Sequence, residues 1–131
     1  MEQSRFSLVL WATDIPALAH FLAEAAGMEL EDQHPGYAIL SADGFWVMVH
    51  GDESYRGHPW YDALQQEGLA RGVGAELRVR VTDVAAAYRR ALRLGAITMY
   101  APFQDEGFME CQVLGPDGYL FSLWAPSAKN R

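Results

Sequence analysis

The landmarks along this chain occur twice in the same order. Leu10-Trp11-Ala12-Thr13-Asp14-Ile15 matches Val79-Arg80-Val81-Thr82-Asp83-Val84, with Thr13 and Thr82 69 residues apart. Each copy runs into an Ala-rich segment that ends at a glycine, Gly27 in the first and Gly95 in the second. Further on, Asp43-Gly44-Phe45 matches Asp117-Gly118-Tyr119 at a spacing of 74, and each opens an apolar run. An internal repeat of this kind constrains the fold more than any local propensity does, because both copies must satisfy one packing scheme.

Each copy reads as strand, helix and three strands. Phe6 to Ala12 is apolar and β-like, and Thr13 or Asp14 can cap the following helix, with Pro16 in its first turn. Ala17, Leu18, Phe21, Leu22 and Ala25 recur at helical spacing, and Gly27 supplies the stop. In the second copy Thr82 or Asp83 is the cap, and Val84, Ala87, Tyr88, Ala91 and Leu94 form the inner stripe up to Gly95. Strands are expected near 28–32, 36–41 and 44–50, and again near 97–103, 107–114 and 118–125. The Asp43-Gly44 and Asp117-Gly118 pairs are hairpin-type turns between the last two strands of each unit. This divides a single domain, 1–131, into a βαβββ unit at 5–50, a connector at 51–74 and a second unit at 75–126. The connector carries Tyr55, His58, Pro59, Trp60 and Tyr61, with a short helix expected over Tyr61 to Gln66. It fits a plain linker or a functional loop equally well.

Composition excludes several classes. At 131 residues and 50% hydrophobic, the chain can bury a core without a metal or disulfide staple. Its single cysteine, Cys111, allows no internal disulfide, which favours a reduced, cytoplasmic setting. Met1 to Arg5 lacks a signal-peptide layout, and no apolar run approaches the ~18 residues of a membrane span. A net charge of −7, from 17 acids against 10 bases, argues against phosphate-backbone binding. Nucleic acid and membrane are therefore not expected partners.

Two βαβββ units in one chain resemble the vicinal oxygen chelate superfamily, which groups glyoxalases, bleomycin-resistance proteins and extradiol dioxygenases. The resemblance runs from Phe6 to Pro126 and rests on the strand–Thr-Asp–helix motifs at Asp14 and Asp83 and on the Gly115-Pro116-Asp117-Gly118-Tyr119 turn. It implies an α+β fold whose curved mixed sheets form a cleft, and a homodimer. Metal-using relatives take His, Gln or Glu ligands from the first and last strands of each unit. Counted from the capping aspartates and the Asp-Gly turns, those positions here are Ser7, Met48, Glu76 and Ser122. Only Glu76 is a good donor, whereas a divalent-metal site needs about three converging N, S or carboxylate ligands. No metal and no cofactor are expected. His20, His34 and His58 read as solvated, while His50 shares strand parity with Trp46 and Met48 and fits the cleft or its rim.

Side chains alternate along a strand. If Leu77, Val79 and Val81 pack on the helix, then Glu76, Arg78 and Arg80 face the cleft. The same parity puts Phe6, Leu8 and Leu10 under the first helix and Ser7, Val9 and Trp11 in the cleft. Trp46, Met48 and His50 form the last-strand row of the first unit, and Leu120, Ser122 and Trp124 that of the second. The expected ligand-binding set is Trp11, Trp46, Met48, Glu76, Arg78, Arg80, Ser122 and Trp124, with Trp60 and Tyr61 closing from the connector. The tryptophan rows would serve equally as core or dimer interface. Tryptophan offers a rigid stacking face, arginine a cation–π partner and methionine an adaptable contact.

No Ser or Cys can be placed beside a His with an orienting third group, so no catalytic residue is assigned. Cys111 reads as a buried strand residue. Acidic clusters at Glu29, Glu31 and Asp32, at Asp52 and Glu53, and at Asp105, Glu106 and Glu110 would attract cations, as in the family's metal-free dimers that sequester cationic antibiotics. Arg78 and Arg80 would attract anions, and the ligand's charge stays open. The leading expectation is non-enzymatic sequestration of a planar aromatic, antibiotic-like natural product for resistance or self-protection. The alternatives are a metal-dependent glyoxalase-like lyase or thiol transferase acting on an electrophile, and a partner-binding module.

Overall fold

Asp14 and Asp83 decide where the two helices begin. Each sits in extended backbone and accepts the N–H three residues on, Ala17 and Ala86, at 3.1 Å. In a computed structural model, which describes residues 5–66 and 71–127, these caps start α1 (Ile15–Glu24) and α3 (Val84–Arg93). The connector's residues 67–70 and the termini 1–4 and 128–131 lie outside the described residues. The first unit is completed by β1 (Ser7–Ala12), β2 (Glu29–His34), β3 (Tyr37–Ala42) and β4 (Phe45–Gly51). The second has β5 (Leu77–Arg80), β6 (Ile97–Asp105), β7 (Phe108–Leu114) and β8 (Leu120–Pro126). Between them lie a 3-10 turn at Asp52–Tyr55 and a one-turn helix α2 (Tyr61–Leu64), shorter than the Tyr61 to Gln66 expected.

The two sheets have the same order, β1-β4-β3-β2 and β5-β8-β7-β6, with the first and last strands of each unit parallel and the rest antiparallel. This is the expected α+β architecture, with curved mixed sheets forming a cleft. β1 and β5 are thus each a free edge. Asp43 and Gly44 both take positive φ, 49° and 83°, which gives the twist-matched hairpin turn between β3 and β4. The corresponding Asp117-Gly118 pair sits in a wider turn, closed by the Gly115 N–H donating to the Tyr119 carbonyl at 2.9 Å.

One apolar core serves both units. Leu18, Phe21 and Leu22 of α1, Val47 and Val49 of β4, and Val113, Phe121 and Leu123 of the second sheet all belong to it. Phe21 meets Phe121 at 4.9 Å between ring centres, so the helix of one unit packs on the last strand of the other. The parity assigned to β1 and β5 holds: Leu8, Leu10, Leu77 and Val79 pack toward the helices. Two details differ. Phe6 precedes β1 and is 67% exposed against Phe45 instead of lying under α1, because the strand starts one residue later. Ala17 is exposed, and Ile15 and Ala19 take its place in the buried stripe. No described helix is long and apolar enough to cross a membrane.

Polar clamps lock the units together at the end of β1. The Thr13 N–H and hydroxyl donate to the two carboxylate oxygens of Asp117, at 3.1 and 2.8 Å. The Tyr119 hydroxyl donates to the Trp11 carbonyl at 2.7 Å, and Arg71 Nη1 donates to the same oxygen at 2.9 Å. Thr13 is therefore the clamp and Asp14 the cap, which separates the two capping candidates. Tyr119→Phe is expected to cost about 1 kcal/mol in denaturant unfolding, a typical net hydrogen bond. Phe21→Ala should cost about 3–5 kcal/mol through the cavity it opens between the units.

Candidate functional site

Two faces and the gap between their edges carry the polar and aromatic groups. On the second sheet, the face away from α3 holds a connected network. Glu76 Oε1 accepts from the Ser122 hydroxyl at 2.7 Å and from Gln112 Nε2 at 2.9 Å. Gln112 Nε2 also reaches Glu110 Oε2 at 3.2 Å, and Glu110 Oε1 accepts from Arg78 Nη1 at 2.8 Å. Glu110 and Ser122 are both buried. Register explains the assembly: Ser122 lies opposite both Arg78 and Gln112, and Trp124 opposite both Arg80 and Glu110. Arg78 lies over the Trp124 ring at 4.9 Å and the Phe108 ring at 5.5 Å, and Arg80 lies over Trp124 at 5.7 Å. Trp124 is thus a floor under two guanidinium groups.

On the first sheet, the connector folds back over the face away from α1. Tyr55 stacks on Trp11 with ring centres 3.5 Å apart, and its hydroxyl hydrogen-bonds His50 Nδ1 at 2.9 Å. Burial lowers the pKa of His50 and raises that of Tyr55, so each stays neutral over a wider pH range. His58 stands edge-on to both Trp11 and Tyr55 at 5.4 Å, and its Nδ1 accepts the Trp60 N–H at 3.0 Å. His58 is exposed, as its loop suggested, and also belongs to this cluster. Arg71 anchors the connector through a two-pronged ion pair with Asp52, at 2.7 and 2.6 Å, in a half-buried setting.

Between the edges of β1 and β5 lies a cavity of about 990 Å3. Of the residues singled out from sequence, Trp11, Trp60, Glu76, Arg78 and Arg80 line it. Trp46, Met48, Tyr61, Ser122 and Trp124 do not: Ser122 and Trp124 act from beneath the lining arginine and glutamate, and Trp46 and Met48 stay half-buried on the first sheet's face. Tyr61 is held outside by Glu53, which accepts from its hydroxyl at 3.1 Å, and by Arg56 over its ring. Val9, Val73, Leu64, Arg71 and Tyr119 are also part of the wall, as are Leu8, Leu10, Leu77 and Val79 of the helix-facing rows, so strand alternation alone does not pick out the lining. Glu110 and Gln112 were missed as members of the network. Their alternation with Phe108 on β7 is the signal that would have found them.

The four positions equivalent to metal ligands are two hydroxyls, a thioether and one carboxylate already accepting two hydrogen bonds. Among the described residues no three His, Cys, Asp or Glu side chains converge. This donor set does not fit a divalent-metal centre. The thiol of Cys111 is buried, and burial pushes its pKa up to about 11.

Two βαβββ units packed in pseudo-symmetry around a cleft define the vicinal oxygen chelate class of protein. The sequence profile of the glyoxalase-like domain family matches residues 7–124, and the chain belongs to that family. Among solved structures it is similar to a glyoxalase/bleomycin resistance protein/dioxygenase family enzyme from Burkholderia phytofirmans PsJN, at a TM-score of 0.74 and 16% identity over 92% of this chain and 97% of that one. A glyoxalase-related enzyme from Fulvimarina pelagi superposes at a TM-score of 0.72 and 19% identity, over 95% of this chain and 88% of the other. A glyoxalase/bleomycin resistance protein from Albidiferax ferrireducens T118 gives a TM-score of 0.71 at 13% identity, over 95% and 100%. At these identities the likeness is one of fold. No functionally curated protein matches the chain.

Because the raised pKa leaves roughly one thiol in a thousand ionised at pH 8, Cys111 in the folded protein should resist alkylation by iodoacetamide. Mass spectrometry should show labelling only after denaturation; rapid labelling of native protein would place the thiol at the surface.

Proposed function

We propose that the protein binds and sequesters a planar aromatic natural product of antibiotic kind, without chemical turnover, in the cavity between β1 and β5. The observation that carries this reading is the cavity itself. Its volume, about 990 Å3, is that of a small-molecule site, and its walls are apolar and aromatic with a few charged groups. Trp60 stands at this wall with 65% of its surface exposed, a stacking face on a loop whose backbone N–H at Trp60 donates to His58. Among the described residues nothing at the wall pairs a nucleophile with a base. The carboxylate best placed for proton transfer, Glu76, is hydrogen-bonded to Ser122 and Gln112. Phe6, Val9 and Val73 also leave apolar surface exposed around the cavity, which supports a homodimer whose second copy covers it.

Titration of the protein with aromatic antibiotics, followed by tryptophan fluorescence and by recovery of the compound, tests the proposal. Saturable quenching at about one ligand per chain, with the compound recovered unaltered, is the expected result. Trp60→Ala should weaken binding by at least about fivefold, the ~1 kcal/mol of one aromatic stacking contact. Chemical alteration of the compound, or unchanged affinity in the variant, would overturn it.

A further inference from the structure

Charged groups that face an apolar cavity need partners, and most of those here have one. Arg71 is neutralised by Asp52 and donates to the Trp11 carbonyl. Glu76 accepts from Ser122 and Gln112. Arg78 donates one N–H to Glu110. Arg80, exposed at the same cavity, makes among the described residues a cation–π contact with the Trp124 ring at 5.7 Å and no side-chain hydrogen bond. Among the described residues no carboxylate lies within ion-pair distance of it. Arg78 and Arg80 share the Trp124 face; Glu110 pairs with Arg78 and is linked through Gln112 to Glu76, which among the described residues leaves Arg80 outside the hydrogen-bonded network.

We infer that the ligand carries a carboxylate, which the Arg80 guanidinium takes at the β5 edge with Arg78 beside it. This deepens, and rests on, the sequestration reading above. The guanidinium fork presents N–H donors in the geometry of a carboxylate's two oxygens, and charge-assisted bonds of this kind are stronger and more directional than neutral ones. Trp124 holds the arginine heads against the sheet, which lowers the entropy lost when a ligand orders them. Among the described residues two carboxylates line the cavity: Glu76 accepts from Ser122 and Gln112, and Asp43 lies in the exposed β3–β4 turn, where water solvates it. Glu110 and Glu76 balance charge within the Arg78 network, and Arg80 stands outside it. Glu29, Glu31 and Asp32 lie on β2, the far edge of the first sheet, and Asp105 and Glu106 at the β6–β7 turn. The selected class is therefore planar aromatic carboxylates over planar aromatic cations.

Three fluorescent probes of one shape separate the terms: 9-anthracenecarboxylate, 9-anthracenemethanol and 9-(aminomethyl)anthracene. They are titrated into the 131-residue chain and into Arg80→Gln at pH 7.5 and low salt, with circular dichroism confirming that the variant is folded. The carboxylate should bind the native protein about tenfold more tightly than the alcohol, the scale of a charge-assisted hydrogen bond. Arg80→Gln should abolish that preference, bringing the carboxylate's affinity down to the alcohol's. Equal binding of carboxylate and alcohol, tightest binding of the amine, or a preference that survives in Arg80→Gln overturns the carboxylate assignment while leaving sequestration standing. Failure of all three probes to bind overturns both.

Discussion

The carbonyl of Trp11 is the point on which the molecule's organisation turns. It lies at the end of a free edge strand, where it lacks a neighbouring strand to satisfy it on that side. It accepts instead from Tyr119 of the second unit and Arg71 of the connector. One residue pair further on, Thr13 grips Asp117. The last turn of the second unit, the connector and the first strand are thereby tied to one place. With Phe21 packed on Phe121 behind them, these clamps fix how the edge of β1 faces the edge of β5. The cavity exists because those two edges are held near one another without pairing.

Much of this was legible in the amino-acid order. The doubled Thr-Asp and Asp-Gly landmarks specify two like units, and alternation along β1 and β5 separates helix-facing from cleft-facing residues. These signals are local and periodic, so they survive without knowledge of tertiary contacts. What was not legible depends on register. Strand β6 shifts register against β7 twice, between Thr98 and Tyr100 and between Tyr100 and Phe103, so counting in twos from either end of the 97–114 region gives conflicting faces. Strand β7 itself pairs with β8 without a shift, so Glu110 and Gln112 alternate regularly with Phe108, but Glu110 reads from sequence as one more surface acid. The connector was opaque for a different reason. Tyr55 has no periodicity to declare that it stacks on Trp11; only the fold-back after Gly51 brings them together.

The distinction between the two halves bears directly on function. Duplicated units begin with equivalent concave faces, but these faces have been used differently. In the first, Tyr55 and His58 cover Trp11, which leaves an aromatic, largely neutral wall. In the second, Trp124 supports arginines whose neighbours form a hydrogen-bonded chain from Glu110 to Ser122. A flat, singly charged ligand of the kind proposed would be oriented by one stacking wall and one charged wall, since turning it over would place its charge against the aromatic rings and desolvate it without a partner.

That same division weighs against chemistry at the site. In metal-using relatives the ligands come symmetrically from the first and last strands of both units, which requires the two faces to converge. Here the corresponding positions are Ser7 and Met48 in one unit and Glu76 and Ser122 in the other, and the second pair is hydrogen-bonded within itself. A carboxylate held by a buried hydroxyl and an amide is already stabilised where it stands, so drawing it onto a metal or a reacting proton would leave Ser122 an unmet donor in the core. The arrangement is better suited to holding Arg78 and its neighbours rigid than to moving a proton. Rigidity of that kind favours tight, selective binding, because the guanidinium groups are positioned before the ligand arrives.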